Sequence, residues 1–265
     1  MSKFIRPDFN IKRLADNSFR AIDEGAYECK HASAHDPLSI KKAILSCPHA
    51  PLIAEVKFAS PSQGQIRGRS GPAELATAMT EWGAVGLSVL TQPYVFEGSI
   101  EYLAAIRKAV TVPLLMKDII VSRVQIDAAR KTGADCVLLI KTVFDRDLAE
   151  ESIENLAEYA AKKSLSVIIE VHTDGEFAQV LKSKQDLIGI NNRNLDNLQI
   201  DISNTERLLS THGKGRSIII SESGIATPED IRYLRRAGAD AFLVGTSIME
   251  TADIGVKVRE LCDAI

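Results

Sequence analysis

The sequence has no Cys-x-x-Cys pair, no apolar run near the roughly 18 residues a membrane-spanning helix needs, and little excess of either charge. Cys29, Cys47, Cys136 and Cys262 are widely scattered with no secretory signal ahead of them, so they are expected as reduced thiols of a cytoplasmic protein rather than as a disulfide framework. A net charge of -3 offers no polybasic surface for nucleic acid or an anionic membrane, so the expected partner is a small molecule. A monomer is the expected form, a reading on which the charge has no bearing. Cys29, His31 and His35 are close in sequence, but the second ligand pair that zinc spacing requires is missing, and no metal is expected. The Gly-x-Gly-x-x-Gly turn of a dinucleotide-binding sheet does not follow the first apolar run. Linkers and low-complexity stretches are also missing, so the 265 residues are read as one domain: a helical extension over 1–50, a barrel over 52–250 and a C-terminal helix over 251–265.

What is present is a repeat of short apolar runs and amphipathic helices. The runs are Leu52–Lys57, Val85–Leu90, Val112–Lys117, Cys136–Ile140, Ser166–Val171, Asp186–Ile190, Ser217–Ser221 and Ala241–Val244. Each is apolar at nearly every position, as in parallel strands buried on both faces. Between them, helices are expected over Pro72–Trp82, Gly98–Ala109, Arg123–Lys131, Asp147–Lys162 and Pro228–Ala237, several closed by glycines such as Gly83, Gly133 and Gly238. Thr227-Pro228-Glu229-Asp230 reads as a helix start, with Thr227 as cap and two carboxylates at the positive helix end. Eight strands alternating with helices predict an α/β fold of one class, a single closed (β/α)8 TIM barrel with an N-terminal helical extension. The apolar sets Leu14, Phe19, Ile22, Ala26 and Leu38, Ile40, Ile44, Leu45 have to bury a face nearby, so residues 1–45 are expected to cover part of the barrel mouth.

Active sites of such barrels form at the carboxyl ends of the strands, where this sequence concentrates its polar residues. Glu55 and Lys57 lie two apart and so share one face of the first strand, ahead of a loop with Ser60, Pro61, Ser62 and Gly64 suited to a polar ligand. The third strand ends with Lys117-Asp118, the fourth with Lys141 and the fifth with Glu170 and His172. The sixth ends with Asn191, Asn192 and Arg193, and the seventh with Glu222-Ser223-Gly224. Ionisable groups on buried strands need partners, so these are expected to pair around a ligand. Gly224 after the seventh strand and Gly245-Thr246-Ser247 after the eighth allow close backbone approach and a helix start that faces an anion, which predicts a phosphorylated substrate.

The order of Ile-Ala-Glu-Val-Lys with Ala-Ser-Pro-Ser, Leu-Thr-Gln-Pro-Tyr-Val-Phe-Glu-Gly-Ser at 90–99, Lys117-Asp118, Glu-Val-His at 170–172, Gly-Ile-Asn-Asn-Arg-Asn-Leu at 189–195 and Ser-Glu-Ser-Gly-Ile at 221–225 resembles the indole-3-glycerol-phosphate synthase family. The resemblance runs from about Leu52 to Met249. It implies a carboxy-lyase of tryptophan biosynthesis that closes 1-(2-carboxyphenylamino)-1-deoxyribulose 5-phosphate to an indole with loss of carbon dioxide and water, using no organic cofactor or metal. By motif position it implies Lys117 as the acid of ring closure, Glu170 as the acid or base of dehydration, and Glu55 and Lys57 as orienting and proton-sharing groups. It further implies Asn191, Arg193, Glu222 and Ser223 as substrate contacts, and Ser60, Gly224, Gly245 and Thr246 as the phosphate site.

Met116, Ile119 and Phe58 depart from the family pattern, which often has a basic residue, an aromatic residue and a basic residue there, and Lys141 has no assigned role. Two other readings share parts of the pattern. A phosphoribosyl-intermediate isomerase would use the same phosphate site without needing Lys57, Lys117, Glu55 and Glu170 together. A non-catalytic barrel binding a phosphometabolite would have no use for that acid-base set.

Overall fold

The computed structural model describes residues 10–29, 33, 35–60, 64–66 and 71–265. Eight parallel strands form a closed barrel: β1 (Leu52–Val56), β2 (Gly86–Leu90), β3 (Leu114–Lys117), β4 (Cys136–Ile140), β5 (Ser166–Val171), β6 (Leu187–Asn191), β7 (Ile218–Glu222) and β8 (Ala241–Val244). Each pairs with its neighbour in chain order, and β1 closes the ring against β8 with Leu52 opposite Phe242. All eight expected runs are strands, and the (β/α)8 class stands.

Side chains alternate between two cores, as the period of two requires. Leu52, Ala54 and Val56 of β1 join the layer between strands and helices, with Leu87, Met116, Leu139, Ile190 and Phe242. Ile53, Leu115, Leu138, Ile168, Ile220 and Leu243 fill the barrel interior. That alternation fixes the position of the polar groups: two residues further along the inward series, Ile53 gives way to Glu55, Leu115 to Lys117, Ile168 to Glu170 and Ile220 to Glu222. The barrel is therefore apolar below and ionic in its uppermost layer.

The outer helices follow local rules. Helix Pro228–Ala237 starts with a reciprocal Thr227–Asp230 capping box, carries proline in its first turn and ends at Gly238 with φ +110°. Its Ile231 and Leu234 are buried, and each fully buried side chain of this kind contributes about 1.5–3 kcal/mol. The expected helix Asp147–Lys162 is shorter than read. Lys141–Asp145 is a separate turn, Asp147 has φ +53°, and the main helix starts at Ile153 behind the Ser152 cap. The loop after β1 is also more regular than expected, since Ala59–Ser60 pairs antiparallel with Gly64–Gln65; Pro61 and Ser62 lie outside the described residues.

The N-terminal extension divides between the two ends of the barrel. Helix Ile11–Asp23 packs near the short helices Pro93–Phe96 and Lys141–Asp145, which follow β2 and β4, so it lies over the mouth as expected. Helix Ile40–Leu45 does not. The Leu38 N–H donates to Asp135, just before β4, and Lys41 reaches Asp186 ahead of β6 at 2.9 Å, so this segment crosses the opposite end. Ile40 and Ile44 close that end of the interior core, while Leu45 faces solvent.

Candidate active site

The ionic layer centres on Lys117. Its Nζ lies 2.9 Å from Glu170 Oε2 and 3.5 Å from Glu222 Oε2, so three separate strands converge on one ammonium. Burial opposes its charge, but Glu170, Glu222 and Glu55 outweigh burial and raise its pKa, so the lysine stays protonated at neutral pH. Glu55 pairs with Lys57 at 2.8 Å and accepts from Ser88 at 3.3 Å. Burial acts against that carboxylate too, yet Lys57 and Lys117 hold it below the usual carboxyl range. Glu222 goes the other way: burial pushes it up, to about 8, Lys117 only partly opposing and Glu170 and Glu55 adding to the rise.

Two glycines make room for these carboxylates. A Cβ at Gly189 on β6 would sit 2.3 Å from Glu222 Oε1, and one at Gly245 would sit 2.5 Å from Glu55 Oε1. Glu222 thus fills the space a side chain would occupy on β6, and Glu55 the space of one just past the end of β8. Glu222 Oε1 has no hydrogen-bond partner among the described residues, and a buried unpaired acceptor at a cavity wall is available to a ligand.

Asn191 orients the other members. Its Nδ2 donates to Glu170 Oε1 at 2.9 Å, its Oδ1 accepts the Arg193 N–H at 2.9 Å, and Arg193 Nη1 donates to Leu198 O at 3.2 Å. Burial lowers the Arg193 pKa, with Glu55 opposing. After β7 the chain turns sharply through Ser223 (φ +68°) and Gly224 (φ +83°), a left-handed pair that is unusual for serine. Ser247 Oγ donates to Ile225 O at 2.9 Å, tying this turn to the short helix Thr246–Met249 that Gly245 starts.

These groups open into one cavity of about 590 Å³. Its wall includes Glu55, Lys57, Ser60, Lys117, Glu170, Asn191, Arg193, Glu222, Ser223, Gly224, Gly245 and Thr246, so every residue singled out in the sequence as catalytic, substrate-binding or phosphate-binding meets in the same space. Leu14 from the mouth helix, Phe96, Ile119 and Leu195 add an apolar wall.

Residues 17–261 match the family model of indole-3-glycerol phosphate synthase. The chain belongs to the indole-3-glycerol phosphate synthase family. As a member of that family it is an enzyme of tryptophan biosynthesis. It is 41% identical over 220 residues to the indole-3-glycerol phosphate synthase of Polaromonas sp. strain JS666, covering 83% of this chain and 81% of that one. The Acetivibrio thermocellus synthase is 36% identical over 250 residues, 94% of each chain. The barrel also superposes on thiamine phosphate pyrophosphorylase from Pyrococcus furiosus, with a TM-score of 0.60 over 85% of this chain and 97% of that one; at 14% identity this likeness shows the fold alone.

Several polar strand ends of this synthase-family chain do not enter the cavity. Lys141 pairs with Asp145 one turn along. His172 Nδ1 meets Asn191 O at 2.8 Å, and Asn192 bonds Ser221, Ser223 and Thr205, so both brace the loops behind the site. Phe58, which stands where the family often has a basic residue, packs edge to face on Tyr102 with ring centroids 5.3 Å apart and is not part of the cavity wall. Among the described residues no cluster of three metal-ligating side chains occurs; His35 pairs with Asp135 at 2.7 Å, and His31 lies outside those residues. The sequence reading missed Leu14 and Phe96 as wall residues and Gly189 as the space for Glu222. The last had a signal, a lone glycine inside a fully apolar strand.

Proposed function

We propose that this chain is a carboxy-lyase that closes 1-(2-carboxyphenylamino)-1-deoxyribulose 5-phosphate to indole-3-glycerol phosphate. The observation that carries the reading is the partly buried Lys117 ammonium held between Glu170 and Glu222 inside the cavity. Ring closure joins the aromatic carbon bearing the carboxylate to the ribulose carbonyl carbon. Lys117 gives its proton to the carbonyl oxygen as the bond forms, and carbon dioxide then leaves to restore the aromatic ring. In the following dehydration the new hydroxyl takes up a proton and departs as water while the adjacent methylene carbon next to nitrogen loses a proton, forming the indole double bond; Glu170, oriented by the amide of Asn191, serves as the acid for the first transfer or the base for the second. The 2.9 Å contact between Lys117 and Glu170 gives the two groups a direct path to exchange a proton between steps.

Glu55 and Lys57 orient the substrate and share in proton traffic. Arg193 presents a planar fork suited to a carboxylate, while Glu222 and Ser223 contact the substrate's polar chain. Ser60, Gly224, Gly245 and Thr246 hold the phosphate through hydroxyls and main-chain N–H groups. The acting form is a cytoplasmic monomer with a small phosphorylated substrate and neither nucleic acid nor membrane as partner. Support for the absence of a nucleic-acid or membrane partner comes from the net charge of -3 and from the described helices, none of which is long and apolar enough to cross a membrane.

The test is to add the carboxyphenylamino-deoxyribulose phosphate and follow indole fluorescence, first with the parent and then with Lys117→Arg and Lys57→Arg. Arginine keeps the charge but cannot release a proton near neutral pH. Lys117→Arg should lower kcat by about 10²- to 10⁴-fold with KM retained, while Lys57→Arg keeps more of the rate and raises KM. A parent that forms no indole removes the proposed activity. An active Lys117→Arg beside a Lys57→Arg that binds but does not turn over reverses the assignment of the acid.

A further inference from the structure

Asp118 follows Lys117 directly and lines the same cavity, yet its two oxygens are engaged by other parts of the chain. Oδ2 accepts the Tyr27 hydroxyl at 2.9 Å and the Thr91 hydroxyl; Oδ1 accepts the Ile119 N–H at 2.7 Å. Gln125 completes the set. Its Nε2 donates to Ile119 O at 2.9 Å and to the Tyr27 oxygen at 3.2 Å, and its Oε1 accepts the Val121 N–H at 2.8 Å. The main chain is pinned as well, since the Thr91 N–H donates to Lys117 O at 3.2 Å.

All four side chains are buried, with exposures of 5% for Tyr27, 2% for Thr91 and Asp118, and 0% for Gln125. They come from four places: the segment after helix Ile11–Asp23, the end of β2, the end of β3 and helix Arg123–Thr132. A hydrogen-bonded group of this kind in a low-dielectric setting is stiff when complete and loses its geometry when one donor is removed. What it fixes is the backbone that carries Lys117, and a displacement of about 1 Å at a reacting group can cost on the order of a hundredfold in rate.

We propose that Tyr27 and Thr91 are positioning residues for Lys117, acting through the Asp118 carboxylate, so that the N-terminal extension is part of the catalytic apparatus rather than only its cover. This rests on Lys117 being the acid of ring closure. The titratable groups around Asp118 are few. Tyr27 faces it from the extension, with its phenol pKa raised by burial and by Asp118 so that it remains a donor; Thr91 and Gln125 are neutral; Lys117 turns away to Glu170 and Glu222. Burial raises Asp118 to about 6, and the bonds from Thr91 and Tyr27 limit that rise. Removing either hydroxyl therefore moves the protonation of Asp118 towards neutral pH.

The experiment is steady-state kinetics of Tyr27→Phe, Thr91→Val and Thr91→Ser in the full-length chain from pH 5 to 9, with thermal melts of each. Tyr27→Phe removes one oxygen and keeps the ring. It should lower kcat by about tenfold with KM changed less than about twofold, and shift the acid limb of the kcat profile to higher pH. Thr91→Val removes the other donor to the same oxygen from a different element and should reproduce both effects, while Thr91→Ser keeps the hydroxyl and should restore them. Folded Tyr27→Phe and Thr91→Val proteins with lower Tm but parental kcat and acid limb would overturn the proposal. Failure of the underlying reading is separate: it would show as an active Lys117→Arg, whatever Tyr27→Phe does.

Discussion

Gly189→Ala tests the packing that places Glu222 beside Lys117. The added Cβ would lie 2.3 Å from Glu222 Oε1, 3.3 Å from its Cδ and 3.3 Å from Ile168 Cγ2. Comfortable contact begins near about 3.5 Å, so the carboxylate has to retreat by about 1 Å, and nothing about the glycine's own backbone resists the change. The retreat pulls Oε2 off its 3.5 Å approach to Lys117. Overpacking of this kind costs about 1–3 kcal/mol, which for a chain of this size is a fall in Tm of roughly 2–12 °C. The lost placement of Glu222 should lower kcat/KM about ten- to a hundredfold. Glu222→Asp, one methylene shorter, withdraws from the alanine. In a double-mutant cycle read by thermal melts it should recover part of the lost Tm, with a coupling on the order of 0.5–3 kcal/mol. Additive losses, or a Gly189→Ala protein with parental Tm and kcat/KM, would refute the argument that Glu222 occupies the side-chain space of β6.

Inorganic phosphate should inhibit competitively, raising the apparent KM without lowering kcat, because Gly224 faces the cavity from the turn after β7 and Gly245 and Thr246 face it at a helix start. Parental KM in the presence of phosphate would remove these residues from the phosphate assignment. Asp118 should also leave a mark on stability. Burial raises it from 3.8 to about 6, so the fold favours its protonated form; its contribution is full below about pH 4 and is lost as pH rises through about 6, a change of roughly 3 kcal/mol. The denaturant stability of the parent minus that of Asp118→Asn should fall by about that amount between pH 4 and 7. A difference that rises or stays level across this window would contradict the cause given for the shift.

The strands were legible because burial on both faces leaves continuous apolar runs, and the site was legible because each run stops being apolar at its inward-facing end. Ile53 to Glu55 and Ile168 to Glu170 are readable from period two alone. Distances across the barrel were not. That Lys117 touches Glu170 and Glu222, while Lys141 turns to its own Asp145, depends on which strand ends tilt over the centre, and local spacing carries no trace of it. The fate of helix Ile40–Leu45 was hidden for the same reason: its apolar face fits either end of the barrel, and the partners that choose, Asp135 and Asp186, lie far along the chain. The break at Asp147 was missed because the surrounding polar residues suit a helix and only its left-handed backbone marks the interruption.

Closure of β1 on β8 has a consequence for the birth of the active site. Glu55 belongs to the first strand made, yet Gly245, whose missing side chain leaves room for that carboxylate, comes at the end of the last. The mouth helix is synthesised earlier still, but Tyr27 waits for Asp118, 91 residues later. A growing chain therefore carries its acid-base groups on strands with an open seam for most of its synthesis. Competence for chemistry should arrive late and all at once, with the joining of the first strand to the last.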